Sequence, residues 1–169
     1  VNAMNADTGR EIRVWDPGVR LFHWTLAGAF PVVYVTGDHW ESVHVNAGYV
    51  VGLLVALRLL WGFLGPSYAR FSNFLYPPKA VLAYAKDAIA LRARRYIGHN
   101  PAGGVMVAAL LVSLALTIST GIALYGATDF AGPLAGVWRG ELASDVLEGG
   151  HELGANLTLA LVALHLAGV

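Results

Sequence analysis

GGHELGANLTLALVALHLAGV, residues 149–169, sets two histidines, His151 and His165, fourteen residues apart in a segment otherwise suited to lipid. An α-helix turns about 100° and rises about 1.5 Å per residue, so the two imidazoles fall roughly 21 Å apart and within about 40° of one face. That separation is a large part of the hydrocarbon thickness of a bilayer. Two neutral imidazoles at different depths of one membrane helix suit two stacked metal centres, provided other helices offer a matching pair.

The rest of the chain has the composition such a helix needs. Of 169 residues, 56% are hydrophobic and 13% charged, against about 25% charged in ordinary soluble domains. The apolar residues cluster in four runs, Leu21 to Val35, Val43 to Leu64, Gly103 to Ala127 and Leu153 to Val169, each close to the roughly 20 residues of a membrane span. The expected fold is an all-α membrane protein, a single four-transmembrane-helix bundle with helices over 18–36, 43–64, 101–125 and 151–169. Pro17 opens the first helix behind an Asp16 cap, Trp15 and Trp24 are placed as interface anchors, and Pro31 is expected to kink it. Between the second and third spans, Pro77-Pro78 begins a segment over about 78–94. There Val81, Leu82, Ala85 and Ile89 share an apolar face beside Lys79, Lys86 and Arg92, which predicts an amphipathic helix at the membrane surface. A short helix is expected around Glu141 to Leu147.

Charge sets the orientation. With four crossings, Arg10, Arg13, Arg20, Arg58, Arg70, Lys79, Lys86, Arg92, Arg94 and Arg95 fall on the side of the N-terminus and middle loop, and Arg139 on the other. The positive-inside rule then makes the N-terminus cytoplasmic, in the inner membrane of a bacterium, and leaves an acidic outer face. Basic residues beside spans are explained by orientation and anionic lipid, and nucleic acid is not an expected partner. The first apolar run follows three arginines and lacks a small-residue cleavage site, so it reads as a retained helix. With no cysteine, thiolate metal sites and covalent C-x-x-C-H haem attachment are excluded.

Threading the helices in, out, in, out sorts four histidines by depth. His23 and His165 lie near the cytoplasmic ends of the first and last helices; His44 and His151 open the second and last helices on the outer side. Bis-imidazole ligation at two depths in a bundle suits two non-covalent b-type haems, one on His23/His165 and one on His44/His151. Gly48 and Gly52 follow His44 on its face and would let a flat ring approach, although glycine at this spacing also serves close helix packing. Arg58, four turns deeper than His44, and Arg20 at the boundary are candidate propionate partners; snorkelling and orientation charge are the alternatives. Ser113, Thr117, Ser119, Thr120 and Gly121 of the third span read as packing and interhelical hydrogen-bonding residues. Metal transport, the competing use of membrane histidines, wants carboxylates or thiolates clustered around one site, and these helix interiors contain none.

VWDPGVRLFHW, the HxxxG opening of the second helix, RLLWGFLGPSYARF, YIGHNPAGG and HELGANLTLALVALHLAGV together resemble the bacterial cytochrome b561 family, which includes the b-type cytochrome subunits of membrane hydrogenases. The resemblance covers Val14 to Val169 and implies a di-haem membrane cytochrome passing electrons between the quinone pool and a partner, with His23, His44, His151 and His165 as ligands. The partner would be a c-type cytochrome or a dehydrogenase or hydrogenase subunit, and the activity a quinol or quinone oxidoreduction or a relay within a larger enzyme. A bound quinone is a further expectation. Family members continue past the fourth helix into a basic tail, for which this sequence has no counterpart after Val169. His99, in the GHNPAGG motif, is a candidate for capping the third helix, holding a propionate or lining a quinone site. His39 is expected at the surface of the outer turn, with quinone binding or proton exchange as its alternative.

Overall fold

The computed structural model describes residues 2–4, 11–13, 17–96 and 98–168; Trp15 and Asp16 lie outside them. Two short strands, β1 (Asn2–Met4) and β2 (Glu11–Arg13), pair antiparallel with Asn2 opposite Arg13. Five helices follow: α1 (Pro17–Thr36), α2 (Glu41–Leu64), α3 (Pro78–Ile89), α4 (Pro101–Thr128) and α5 (Glu141–Ala167). By length and composition α2 and α4 are apolar enough to cross a membrane. Pro17 opens α1, where its missing N–H costs nothing, and the helix runs on through Pro31 to Thr36. In α4 the hydroxyls of Thr117, Ser119 and Thr128 donate to carbonyls one turn back, those of Ser113, Ala115 and Leu124. A polar side chain in hydrocarbon is thereby satisfied within its own helix.

Two segments depart from expectation. The amphipathic segment ends as a helix at Ile89, short of residue 94, because Leu91 takes a left-handed φ of 55° and the Arg92 N–H turns back to the Asp87 carbonyl at 2.7 Å. That closure is a Schellman-type stop, here with leucine where glycine is usual. More consequentially, the expected outer helix near 141–147 and the span opening at His151 are one continuous helix, the 27-residue α5. It is about 40 Å long, more than a bilayer's hydrocarbon core of about 30 Å. Gly149 and Gly150 join the two segments, and the helix continues through both despite their weak propensity.

The chain divides into two compact units rather than one: residues 1–28 with 56–108, and 29–55 with 109–169. In the first, the segment after α2 folds back on that helix. The Arg70 Nε donates to the Gly65 carbonyl at 2.6 Å and the Asn73 amide to the Ser67 carbonyl at 2.6 Å. These bonds present the Phe71 ring to Gly62 and the Phe74 backbone to Gly104, where a Cβ would overlap either neighbour. Phe74 and Ala69 are buried as a result.

In the second unit α4 and α5 cross along a seam of small residues. Gly154 lies against Thr117, where an added Cβ would be 2.5 Å from the hydroxyl; Gly121 lies against His151; and Ser113 meets Thr158 in a buried hydroxyl pair at 2.7 Å. Both strips repeat every fourth residue, with 113/117 facing 158/154 and, one turn on, Gly121 against His151 and Gly150 against Thr120, so close approach is sustained over two turns. Thr158 also donates to the Gly154 carbonyl at 2.8 Å, so in the pair it accepts from Ser113. Thr158→Val removes that acceptor and strands a buried donor, at a cost of about 1–2 kcal/mol. Ser113→Val leaves Thr158 bonded to Gly154 and should cost less. Unfolding of the two variants in detergent would show this order.

Candidate functional site

The seam and the α1–α2 turn together build a pocket in the second unit. His44 stands in the first turn of α2, three residues after Glu41, and its Nδ1–H donates to the Val33 carbonyl of α1 at 2.9 Å. His151 reaches from α5 to α4, where its Nδ1–H donates to the Thr117 carbonyl at 2.9 Å. The two imidazoles face one another with ring centres 5.9 Å apart and planes 86° apart.

Because a carbonyl only accepts, both rings carry their proton on Nδ1, and Nε2 keeps its lone pair for a metal. Two imidazoles bound to one first-row metal from opposite sides, each through a bond of about 2 Å, have centres roughly 6 Å apart. The observed spacing fits.

Around the pair lies a cavity of about 620 Å³, within the roughly 300–1,000 Å³ of cofactor pockets. Its walls include Gly48, Leu114, Ile118 and Gly121 beside the two histidines. Gly48 has no heavy atom within 4 Å of where a Cβ would stand, so it opens directly onto the cavity. Gly121 serves otherwise: a Cβ there would lie 2.7 Å from the His151 ring, so glycine is what lets that ring reach the Thr117 carbonyl. Asp38, Glu41, Asp129, Glu148 and Glu152 also line the cavity, and no lysine or arginine does among the described residues. Two imidazoles with bare Nε2 atoms, a glycine-smoothed side and apolar side chains such as Leu114 and Ile118 are residues that would fit a haem, beside a wall that also carries carboxylates.

The other expected residues fall as follows. A Cβ at Gly52 would stand 3.3 Å from the Ile118 side chain, and Gly52 does not line the cavity, which favours its packing role. His39 is exposed and stands outside the cavity wall. His165 is half-buried on α5, in the same continuous helix as His151. In the first unit His23 is half-buried with its ring 5.4 Å from that of Trp24, which is 69% exposed. Arg20 is exposed on α1.

Arg58 does not snorkel. It is 5% exposed, with its guanidinium carbon 5.1 Å from the Phe71 ring centre and 5.9 Å from that of Phe74, a cation–π setting. His99 lies against Phe74 with ring centres 4.8 Å apart. The capping considered for it falls to its neighbour Asn100, whose side-chain oxygen accepts the Gly103 N–H at 2.7 Å. Sequence reasoning missed three groups: Gly121 as the residue admitting His151, and the Val33 and Thr117 carbonyls. The i+4 spacing of Ser113, Thr117 and Gly121, mirrored in Gly150, Gly154 and Thr158, was the signal available.

Two helices apolar enough to cross a membrane and a facing imidazole pair at a cofactor-sized cavity, in a chain without cysteine, are the features of a membrane cytochrome of the b type. The chain belongs to the prokaryotic cytochrome b561 family, whose model matches residues 14–169. It is similar to proteins named probable Ni/Fe-hydrogenase B-type cytochrome subunit. That of Cupriavidus necator is 27% identical over 152 residues, covering 70% of this chain and 62% of that protein. That of Azotobacter vinelandii is 29% identical over 144 residues, covering 68% and 59%; one from Escherichia coli K12 is 27% identical over 145 residues, covering 66% and 59%. The chain thus spans about three-fifths of the length of these curated relatives. No solved structure matches it significantly.

Proposed function

We propose that this chain is a four-span, di-haem cytochrome of the bacterial inner membrane that carries electrons between the quinone pool and a redox partner. One haem is held by His44 and His151, the other by His23 and His165, with the N-terminus cytoplasmic. The observation that carries the proposal is the His44/His151 pair, each Nδ1 tied to a carbonyl, beside a cavity onto which Gly48 opens. When bound, a haem supplies reversible one-electron iron chemistry. The protein's own part is to fix both rings in the ligating tautomer, exclude water with Leu114 and Ile118, and give the cofactor an apolar setting.

For the second pair the support is the sequence: His165 repeats His151 four turns on, and His23 shares its expected depth. Arg58, buried beside Phe71 and Phe74, is the proposed propionate partner at that level, and Arg20 a second at the boundary. The distribution of lysine and arginine supports the orientation. A quinone exchanging near one haem would couple electron passage to proton uptake or release. A second reading, an anchor and relay subunit of a hydrogenase or dehydrogenase, draws support from the names of the relatives.

Pyridine haemochrome quantitation on the detergent-purified protein tests the first reading, with two b-type haems per chain expected. One or none in a fully loaded preparation overturns it. Co-purification of a hydrogenase catalytic subunit would favour the relay.

A further inference from the structure

The two histidines facing the cavity are tethered to carbonyls of different kinds. Val33 is the fourth residue from the end of α1, and among the described residues no backbone N–H closes on its carbonyl at hydrogen-bonding geometry, whereas the corresponding carbonyls of the other helices, those of Trp61, Lys86, Tyr125 and Leu164, each accept one from the residue after the helix. The Thr36 hydroxyl, on a residue 3% exposed, takes the Val32 carbonyl at 2.7 Å and reaches Val33 only at 3.3 Å. The His44 Nδ1–H, at 2.9 Å, is thus the shorter side-chain bond to the Val33 carbonyl. That carbonyl also sits at the negative end of the helix dipole. The Thr117 carbonyl, by contrast, lies mid-helix in α4, where the ladder supplies an N–H, and it also accepts the Thr120 hydroxyl at 2.9 Å beside His151.

We propose that the C-terminal end of α1 orients and tunes the His44 imidazole, and that this makes His44 the more electron-donating of the two ligands. The tuning rests on the haem reading above; the orientation does not. An acceptor that pulls on Nδ1–H makes Nε2 a better donor, which favours the ferric over the ferrous state. His44 acts in turn as a cap on α1, so its ring is set by the polypeptide before any cofactor arrives.

The test weakens each carbonyl in place. Replacing Tyr34 by its α-hydroxy acid turns the Val33–Tyr34 amide into an ester, whose carbonyl is a poorer acceptor; the same change at Ile118 does this to Thr117. Each also deletes one helical N–H, so that side effect cancels in the comparison. The midpoint potential of the haem lost in His44→Ala should rise with the ester at 34, and rise less with the ester at 118. No rise at 34, or an equal or larger one at 118, overturns the tuning.

Orientation is read on haem-free protein carrying 15N-histidine. His44 should show the Nδ1–H tautomer with Nε2 bare, and a sharp loss of that signature with the ester at 34; an Nε2–H or mixed tautomer in the unmodified chain refutes it. Should the chain take up no haem on these histidines, the reading above falls and the tuning with it, while the haem-free measurement still decides the orientation.

Discussion

His44→Ala is expected to lower the haem content from about two to about one per chain, and His151→Ala to remove the same haem. Under the proposed pairing each variant would remove one of the two imidazoles that hold one haem, and the remaining histidine alone would not retain it. His23→Ala and His165→Ala should remove the other haem and spare this one. Low-temperature spectra and the ferric resonance of each variant identify which haem is lost. Loss of the same haem in His44→Ala and His23→Ala would refute the proposed pairing. His44→Ala should also loosen the end of α1, because the Val33 carbonyl loses its imidazole donor; a net hydrogen bond contributes about 1 kcal/mol. That part of the effect belongs to the haem-free protein and is separable by unfolding it.

Gly121→Ala should imitate His151→Ala without touching a ligand. Its new Cβ would stand 2.7 Å from Cε1 and 2.9 Å from Nδ1 of His151, closer than packed atoms tolerate. The backbone of α4 is held at the seam, so the ring is what moves, and it leaves the Thr117 carbonyl when it does. Loss of one haem, or a ferric signal changed at one site alone, is the expected outcome; full haem content with an unaltered signal would show that the ring has another place to go. Gly48 supplies the contrast. Nothing lies within 4 Å of its would-be Cβ, so Gly48→Leu should leave the haem-free fold intact and still reduce haem uptake by filling the cavity. The two glycines separate a defect in placing the ligand from a defect in housing the ring.

Much of this was legible in the sequence for physical reasons. A membrane histidine is costly enough to need a purpose, and the fourteen-residue spacing of His151 and His165 is a helical statement that holds wherever the helix begins. Where it begins was not legible. A short helix was legible around Glu141 to Leu147, but nothing in the chain across Glu148, Gly149 and Gly150 tells that it runs unbroken into the last span as α5. Arg58 was singled out by its place fourteen residues after His44, but its burial against Phe71 and Phe74 depends on a segment folding back through Gly62 and Gly104, and a Cβ-sized gap leaves no pattern along the chain. The Val33 and Thr117 carbonyls were invisible for a plainer reason: every residue has one, and only the fold selects which a histidine meets.

The repeat that lets α4 and α5 approach so closely has a hazard built in. Strips of small residues spaced by four look alike after a slide of one turn, about 5.4 Å. Moved one way, Gly150 would meet Thr117 and Gly154 would meet Ser113, nearly as smooth a fit, but Leu147 would take the level of His151. Moved the other way, Gly154 would meet Gly121, and Ala155 would stand at that level. The glycines do not forbid the first slide; the second would set Thr158 against Thr117, where a Cβ at 154 would already stand 2.5 Å from the hydroxyl. In the first, Thr158 would meet Ala109, which offers no hydroxyl, and in the second Ser113 would meet Val162, so each breaks the buried Ser113–Thr158 pair that the present alignment makes. A pair of hydroxyls about two turns from the cavity's histidine is thus the key that locks the helices in phase, as a lone polar residue does in a coiled coil, and holds the ligand at its height.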